Sequence, residues 1–451
     1  MYKSKNKSRR KSMGYRRPRK ASVLVLSGAA LCVAACWAGS FAVSLFFGTH
    51  LNELPQELDF PSSAKAQSRC VGDVVAEISS SHNKSLFNDY GVPDLRGSFS
   101  SVHENSLSKG VGSSSAIAES LKLGIDPDLQ ASAISVMQRY NLPWAAIVAV
   151  EPRTGRVLTL ASHSSQEPSA EVALKASFPA ASLFKLVTAV SGVERAGLAG
   201  GDKLAYRGHE HRLTQGSYFP NARLDNKTMG LDLALAKSVN PIFARIALGH
   251  LAPKDLESYA VSFGFESGIP FELPIEPSSF SMQGGDYEFA RTAAGFGEVF
   301  ISPLHAALIG AAIANDGLMM RPYLVDEMTL GEGEGVYRVE PSVLRRVALS
   351  SASREVGHMM RETVTSGTAK GQFQRLLKGE LADLAVAGKT GTLNGQNPEG
   401  LYNWFVGFAP AEDPQVAFAA LVIDPGNAQI RGVALARLFF EAYTQKYGSD
   451  G

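Results

Sequence analysis

The chain has 451 residues, of which 45% are hydrophobic and 19% charged, and its formal net charge is +1. This is an ordinary globular composition, long enough for two domains or for one large domain with appendages. The near-neutral total conceals an asymmetry, because residues 1–20 hold ten Lys or Arg and no acid, which leaves a net charge of −9 for the rest.

A basic cluster of this kind could be a nucleic-acid-binding arm, but its position argues against that. Residues 21–49 contain no charged side chain. As a helix, residues 22–47 would rise about 39 Å, which exceeds the roughly 30 Å hydrocarbon core of a bilayer. We therefore predict a cytoplasmic tail at 1–20 and a single transmembrane helix at 21–48 in a bacterial inner membrane, with everything after His50 outside. No nucleic-acid partner is expected.

Two other interpretations of this segment remain open. A cleaved signal peptide usually has a shorter apolar stretch, although small residues near Ala34 and Ala35 would permit cleavage. The sequence Val33-Ala34-Ala35-Cys36 also resembles a bacterial lipoprotein cleavage box. The apolar sequence continues beyond it to Phe47, which a lipid-anchored terminus would not need.

Cysteine and histidine usage excludes two kinds of site outside the membrane. Cys32 and Cys36 lie in the apolar segment, so Cys70 alone lies outside and no intramolecular disulfide framework is available there. No Cys or His cluster has metal-ligand spacing, and neither a metal nor a cofactor is predicted. Residues 49–119 are rich in Ser and Gly and are interpreted as a stalk or linker.

Strand patterns occur at both ends of the remaining sequence. Apolar runs at 145–150 and 157–160, joined through Thr154 and Gly155, predict a hairpin. Three later strands are predicted at 384–392, 403–409 and 416–423, before a helix at 433–445. The sequence between the hairpin and the three later strands is predicted to be mostly helical, for example at 231–247 and 303–315. We expect an α/β fold of the α+β type, in which helices cover a five-stranded antiparallel sheet and an all-helical lobe is inserted.

Three short motifs point to acyl transfer by a serine. They are Ser182-Leu183-Phe184-Lys185, then Ser238-Val239-Asn240, then Lys389-Thr390-Gly391-Thr392. Each motif alone is weak, but the first begins an apolar helix that would place Ser182 and Lys185 on one face, a turn apart. Serine is a poor nucleophile unless a base deprotonates it, and a nearby amine can serve as that base.

In this order the motifs resemble those of the penicillin-binding proteins, the serine D,D-transpeptidases that β-lactams acylate. The resemblance covers residues 120–447, which we take as the transpeptidase domain, and further similar segments lie at 125–130, 145–157, 302–322 and 404–410. Members often carry Pro-Gly before the nucleophile, where this chain has Ala180-Ala181. They also often carry a Gly-Gln-Gly-like stretch, where this chain has Gly297-Glu298-Val299. The stalk is too short for the glycosyltransferase domain of bifunctional members, so a separate glycan synthase is an expected partner.

The resemblance implies a role for each motif residue. Ser182 would attack a D-alanyl carbonyl of a peptidoglycan stem peptide, with Lys185 as general base and Ser238 passing a proton to the leaving amine. For substrate binding it implies Asn240, Lys389, Thr390, Gly391 and Thr392. Lys185 must be neutral to act as a base, and burial beside Lys389 would lower its pKa. The oxyanion hole would use the backbone N–H groups of Ser182 and Thr392. Asp232 and Glu298 are interpreted as structural.

Competing functions share much of this chemistry. A D,D-carboxypeptidase would use the same acyl-enzyme with water as acceptor, and the motifs do not separate it from a transpeptidase. A class A β-lactamase would need a Glu-x-x-x-Asn sequence, and none occurs between Ser238 and Lys389. A β-lactam sensor or scaffold would need a larger cytoplasmic output domain than the basic tail of twenty residues. We therefore predict a peptidoglycan D,D-transpeptidase that β-lactams inhibit.

Overall fold

The computed structural model describes residues 118–330, 336–374, 376 and 385–448, together with residue 93. The predicted tail and transmembrane helix, and all but the last two residues of the stalk other than residue 93, lie outside the described residues. Among the helices that are described, none has the length and apolar character needed to span a bilayer.

The strands of the described residues are numbered in chain order. They are β1 (Ala118–Leu123), β2 (Trp144–Val150), β3 (Val157–His163), β4 (Phe178–Pro179), β5 (Lys203–Tyr206), β6 (Lys227–Gly230), β7 (Ser279–Ser281), β8 (Glu298–Ile301), β9 (Leu318–Met320), β10 (Val325–Leu330), β11 (Val336–Arg338), β12 (Val343–Arg346), β13 (Ala387–Gln396), β14 (Glu399–Ala409) and β15 (Val416–Asp424).

The α-helices are numbered in the same way. They are α1 (Pro127–Arg139), α2 (Lys185–Ala196), α3 (Gln215–Tyr218), α4 (Leu231–Ala236), α5 (Asn240–His250), α6 (Pro253–Ser262), α7 (Asp286–Ala293), α8 (Pro303–Ala314), α9 (Ser350–Thr365), α10 (Lys370–Phe373) and α11 (Gly432–Tyr447).

A five-stranded antiparallel sheet in the order β13-β14-β15-β2-β3 forms the centre of the fold, as the sequence predicted. Apolar side chains are buried on both of its faces. On β2, Ala146, Val148 and Val150 join the core cluster that includes α2 and α8, whereas the alternate residues pack with α1 and α11. Burial on both faces explains why β2 reads as a continuous apolar run and not as an alternating one.

The inserted region between β3 and β13 differs from the prediction of an all-helical lobe. The described part of this region contains nine strands, from β4 to β12, among its helices. Several of them form small sheets, including the order β4-β8-β7 and the hairpin of β5 and β6. All of them except the six-residue β10 have only two to four residues, which is too short for a recognisable alternation in the sequence.

The N-terminal part of the described chain is part of the same domain. Strand β1 pairs antiparallel with β10, which pairs with β11 to complete a three-stranded sheet. At the other end, the Lys446 ammonium contacts both Asp126 and Asp128 at 2.7 Å. Asp126 is also the N-cap of α1, accepting from the N–H groups of Asp128 and Leu129. The two ends of the described domain are therefore joined through α1.

Helix α8 crosses the back of the sheet and is apolar on every side, so all of its residues from Pro303 to Ile313 are buried. It carries one ionisable side chain, His305. The His305 Nε2–H donates to the carbonyl of Phe263 (2.8 Å), which can only accept, so Nδ1 accepts from the Ser278 hydroxyl (2.7 Å). Burial lowers the pKa of His305 to about 4. His305 is therefore a core histidine with both ring nitrogens hydrogen-bonded.

Candidate active site

The nucleophile lies in a tight turn between β4 and α2. Ser182 belongs to a 3-10 turn at Ala181–Phe184, and α2 begins only at Lys185. Ala181 has a φ of +50°, which is unfavourable for an L-residue with a side chain. Gly295 lies directly against the turn, since a Cβ built there would be 2.3 Å from the Ala181 carbonyl oxygen.

The lysine of the first motif contacts the nucleophile. Lys185 Nζ lies 2.8 Å from Ser182 Oγ and 2.5 Å from the carbonyl oxygen of Ala294. The side chain is completely buried. Burial, and secondly the charge of Lys389, hold the pKa of Lys185 well below its usual range. A neutral amine can donate to Ala294 while its lone pair accepts the serine proton, so the geometry suits a general base.

The second motif lies at a break between two helices. The predicted helix over 231–247 is divided into α4 and α5, and Ser238 lies in the break with a φ of +57°. Ser238 Oγ lies 3.0 Å from Lys389 Nζ. The backbone N–H of Asn240 donates to the carbonyl of Glu210 (2.7 Å), so the loop after β5 fixes the start of α5. Both motif side chains are nearly buried.

The third motif occupies the strand at one end of the sheet. β13 is an edge strand of the five-stranded sheet and is bonded to β14 on one side only. Lys389 is completely buried, and Nζ donates to the Thr390 carbonyl at 2.9 Å as well as contacting Ser238. Burial lowers the pKa of Lys389 to about 7. Thr392 is exposed.

Packing disfavours a larger residue at Gly391. A Cβ at this position would lie 3.2 Å from the Trp404 side chain and 3.3 Å from that of Leu183. The Trp404 indole N–H donates to the carbonyl of Pro179 (3.0 Å), in the strand that leads to the nucleophile. Trp404 therefore connects the third motif's neighbouring strand to β4.

The structure thus brings four of the predicted residues together as two contacting pairs, and the charge of Lys389 acts on Lys185. Ser182 contacts Lys185, Ser238 contacts Lys389, and burial of both lysines separates them from bulk water. Asp232 instead accepts the N–H of Leu233 (2.6 Å) at the start of α4, and Glu298 is exposed on β8. Within the described ranges, no three His, Cys, Asp or Glu side chains are grouped so that they could bind a metal ion.

Sequence reasoning missed the partners that act through backbone atoms. The carbonyl of Ala294 orients Lys185 from a point 109 residues away in the chain, and the carbonyl of Glu210 holds Asn240. A backbone carbonyl has no residue-type signature. The neighbouring Gly295, which lets its segment approach the backbone of Ala181 closely, is the signal that the sequence contains for this packing.

An antiparallel sheet covered by helices, with a serine beside a buried lysine and a second serine-lysine pair, defines an active-site serine acyltransferase of the penicillin-recognising class. The family model for the penicillin-binding protein transpeptidase domain matches residues 145–441. The chain belongs to this family.

Individual relatives agree with this assignment. The chain is 28% identical over 347 residues to the peptidoglycan D,D-transpeptidase PbpA of Mycolicibacterium smegmatis, a match that covers 67% of each chain. It is 28% identical over 342 residues to PbpA of Mycobacterium tuberculosis, covering 66% of each. The match therefore spans about two thirds of the length of each mycobacterial relative.

Solved structures show the same fold. The ceftriaxone acyl-enzyme complex of penicillin-binding protein A from M. tuberculosis is 26% identical, with a TM-score of 0.60 over 71% of this chain and 79% of that chain. A D,D-transpeptidase domain from Eggerthella lenta is also 26% identical, with a TM-score of 0.60 over 73% of this chain and 84% of that one.

Proposed function

We propose that this protein is a peptidoglycan D,D-transpeptidase that forms stem-peptide cross-links through an acyl-enzyme on Ser182, and that β-lactams inhibit it by acylating the same serine. The contact between Ser182 and the buried amine of Lys185 carries this proposal, because it supplies a nucleophile together with its base. The names of the mycobacterial relatives and the acyl-enzyme complex of one of them support the substrate class.

In the first half-reaction, Ser182 Oγ attacks the penultimate D-alanine carbonyl as its proton passes to Lys185. The backbone N–H groups of Ser182 and Thr392 stabilise the oxyanion. The peptide bond then breaks, the terminal D-alanine amine leaves with a proton delivered through Ser238, and an ester to Ser182 remains. Lys389 supports this transfer from its position 3.0 Å from Ser238.

Substrate binding uses the remaining motif residues. The Lys389 ammonium and the hydroxyls of Thr390 and Thr392 suit the free carboxylate of a D-alanyl terminus. Asn240 is placed to hydrogen-bond the peptide backbone. In the second half-reaction, the amine of another stem peptide attacks the ester, the new amide forms, and Ser182 recovers its proton. Water as the acceptor would give a trimmed peptide instead.

One assay distinguishes these outcomes. Full-length protein is incubated with lipid-linked nascent peptidoglycan, and the products are separated into cross-linked dimers and trimmed monomers. We expect dimers, and we expect them to disappear with Ser182→Ala or after treatment with penicillin. Trimmed monomers without dimers would identify a D,D-carboxypeptidase, whereas undiminished penicillin labelling of Ser182→Ala would exclude Ser182 as the nucleophile.

We further propose that residues 21–48 anchor the protein in the bacterial inner membrane, with residues 1–20 cytoplasmic and the transpeptidase domain outside. The ten positive charges that precede an uncharged span motivate this topology. A separate glycan synthase would then supply the nascent strands. Protease added to spheroplasts should digest the chain after His50 and spare an N-terminal epitope. A mature chain that begins at or near Cys36 would contradict the anchor.

A further inference from the structure

The turn that follows α9 lies against two of the three motifs, although it belongs to none of them. Gly367 packs directly on the end of α4, because a Cβ built there would lie 2.3 Å from the carbonyl oxygen of Ala236. Any larger residue would push the turn away from the helix. The close approach places the next residue, Thr368, between the second motif and the third.

On one side, Thr368 provides a hydrogen-bond donor for a carbonyl at the end of α4. The last carbonyls of a helix have no partner within the helix. The Thr368 backbone N–H donates to the Ala236 carbonyl at 3.1 Å, and its Oγ1 lies 3.2 Å from the same oxygen. Ala236 is two residues before Ser238. The contact therefore fixes the chain that leads into the second motif.

On the other side, Thr368 meets the third motif. Its Oγ1 lies 2.6 Å from Thr390 Oγ1, and either hydroxyl can be the donor. Each hydroxyl has one hydrogen. If Thr390 donates to Thr368, its hydrogen is committed within the protein. If Thr368 donates to Thr390, the Thr390 hydrogen is free, and the end of α4 is still satisfied by the Thr368 N–H.

A carboxylate can only accept hydrogen bonds, so a bound carboxylate favours the second arrangement. Thr368 is exposed whereas Thr390 is nearly buried, so the pair of hydroxyls runs from the protein surface into the site. We propose that Thr368 is a positioning residue, which donates to Thr390 and thereby directs the Thr390 hydroxyl toward the carboxylate of the substrate or the β-lactam. This inference rests on the proposed function for the identity of that carboxylate.

The test compares two acylating agents that differ only in the carboxylate, benzylpenicillin and its methyl ester. The full-length variants are Thr368→Val, Thr368→Ser and, as a matched control, Thr365→Val. Thr365 is an exposed residue of α9 whose hydroxyl contacts Glu362. Acylation rates are measured by intact-protein mass over a range of concentrations, so that initial binding and the acylation step are separated.

We expect Thr368→Val to slow acylation by benzylpenicillin about tenfold, mainly through weaker initial binding, as for one misdirected hydrogen bond to a charged group. Acylation by the methyl ester should stay within about twofold of the parent, and Thr368→Ser and Thr365→Val should also do so with benzylpenicillin. The unchanged rate with the ester would show that Thr368→Val is folded.

Equal losses with benzylpenicillin and with the ester would overturn the inference, because they would indicate general damage to the cleft. So would a Thr368→Val protein that behaves like Thr365→Val with both agents. A parent protein that is acylated but forms no cross-links would contradict transpeptidation and leave this comparison measurable. A parent that is not acylated at all would overturn both proposals.

Discussion

Cationic side chains are buried in two regions of this protein, and the free-energy cost of burying a charge is avoided in one region and offset by pairing in the other. In the active site, Lys185 and Lys389 are completely buried, and no ion pair joins either of them to a carboxylate within the part of the chain that the structure describes. In the inserted region, Arg245 has a side chain that is only 8% exposed, and it pairs with Asp225 at 2.8 Å.

In the region around Arg245, the buried charged groups all have hydrogen-bond or ion-pair partners. Arg245 also donates to the carbonyls of Ser217, Ala205 and Phe219, and Asp225 receives a second guanidinium from Arg207 at 2.6 Å. Burial raises the pKa of Asp225, but hydrogen bonds from Arg245, the Asn221 backbone and Arg207 outweigh it and lower the pKa to about 2. Here the charges persist because each has partners.

In the lysine region, burial instead favours the loss of a proton, most strongly at Lys185. Burial lowers the pKa of both lysines, and the proximity of the two amines lowers that of Lys185 further. An arginine could not respond in this way, because its guanidinium stays protonated at any working pH. The comparison teaches that the choice of lysine or arginine at a buried position decides whether burial produces a base or a structural anchor.

The largest effect should follow from placing arginine in the lysine region. We expect Lys185→Arg to slow acylation by a fluorescent penicillin by about 10³-fold, within the range for loss of a general base. Lys203→Arg, at an exposed position on β5, is the matched control and should label like the parent. Labelling kinetics by gel fluorescence measure both. A Lys185→Arg rate near that of the parent would remove Lys185 as the base.

The next effect concerns the arginine region. Arg245→Ala leaves Asp225 with one buried cation in place of two and frees three backbone carbonyls, so we expect the free energy of unfolding to fall by about 3 kcal/mol. Denaturant unfolding of the parent and variant in the same detergent measures it. Arg338→Ala removes an exposed partner of Glu327 and should change stability much less. Equal losses in the two variants would refute the contrast.

The smallest effect is a change in pH dependence. The pKa of Lys389 is lowered to about 7 by burial, so its charge is present below that pH and is lost as the pH rises through it. Acylation by a carboxylate-bearing β-lactam should therefore decline above pH 7. In Lys389→Arg the charge persists, and the alkaline limb should move upward by at least about 1 pH unit, even if the maximal rate is lower. Superimposable alkaline limbs would show that Lys389 does not control it.

Much of this arrangement could be predicted from the sequence. The motifs at Ser182, Ser238 and Lys389 identified the side chains that converge, and the apolar runs located the five central strands. The bounds of α8 were predicted within one residue, because Ser302 caps the start of the helix and Pro303 occupies its first position.

Other features depend on contacts that a linear pattern does not encode. The carbonyl of Ala294 and the hydroxyl of Thr368 reach the site only because distant segments pack together. The positive φ of Ser238 is imposed by its surroundings and not by the local preference of serine.

The turn at Ala181 has a consequence for how this domain holds its nucleophile. An alanine with a φ of +50° costs on the order of 1 kcal/mol relative to an unstrained conformation. The turn persists because β4 holds it from one side, where the N–H of Ala180 donates to Val299 (2.9 Å), while Gly295 packs against it from the other. The folded domain thus holds Ser182 and its backbone N–H in a fixed orientation. The stability of the surrounding structure offsets the local strain that this orientation requires.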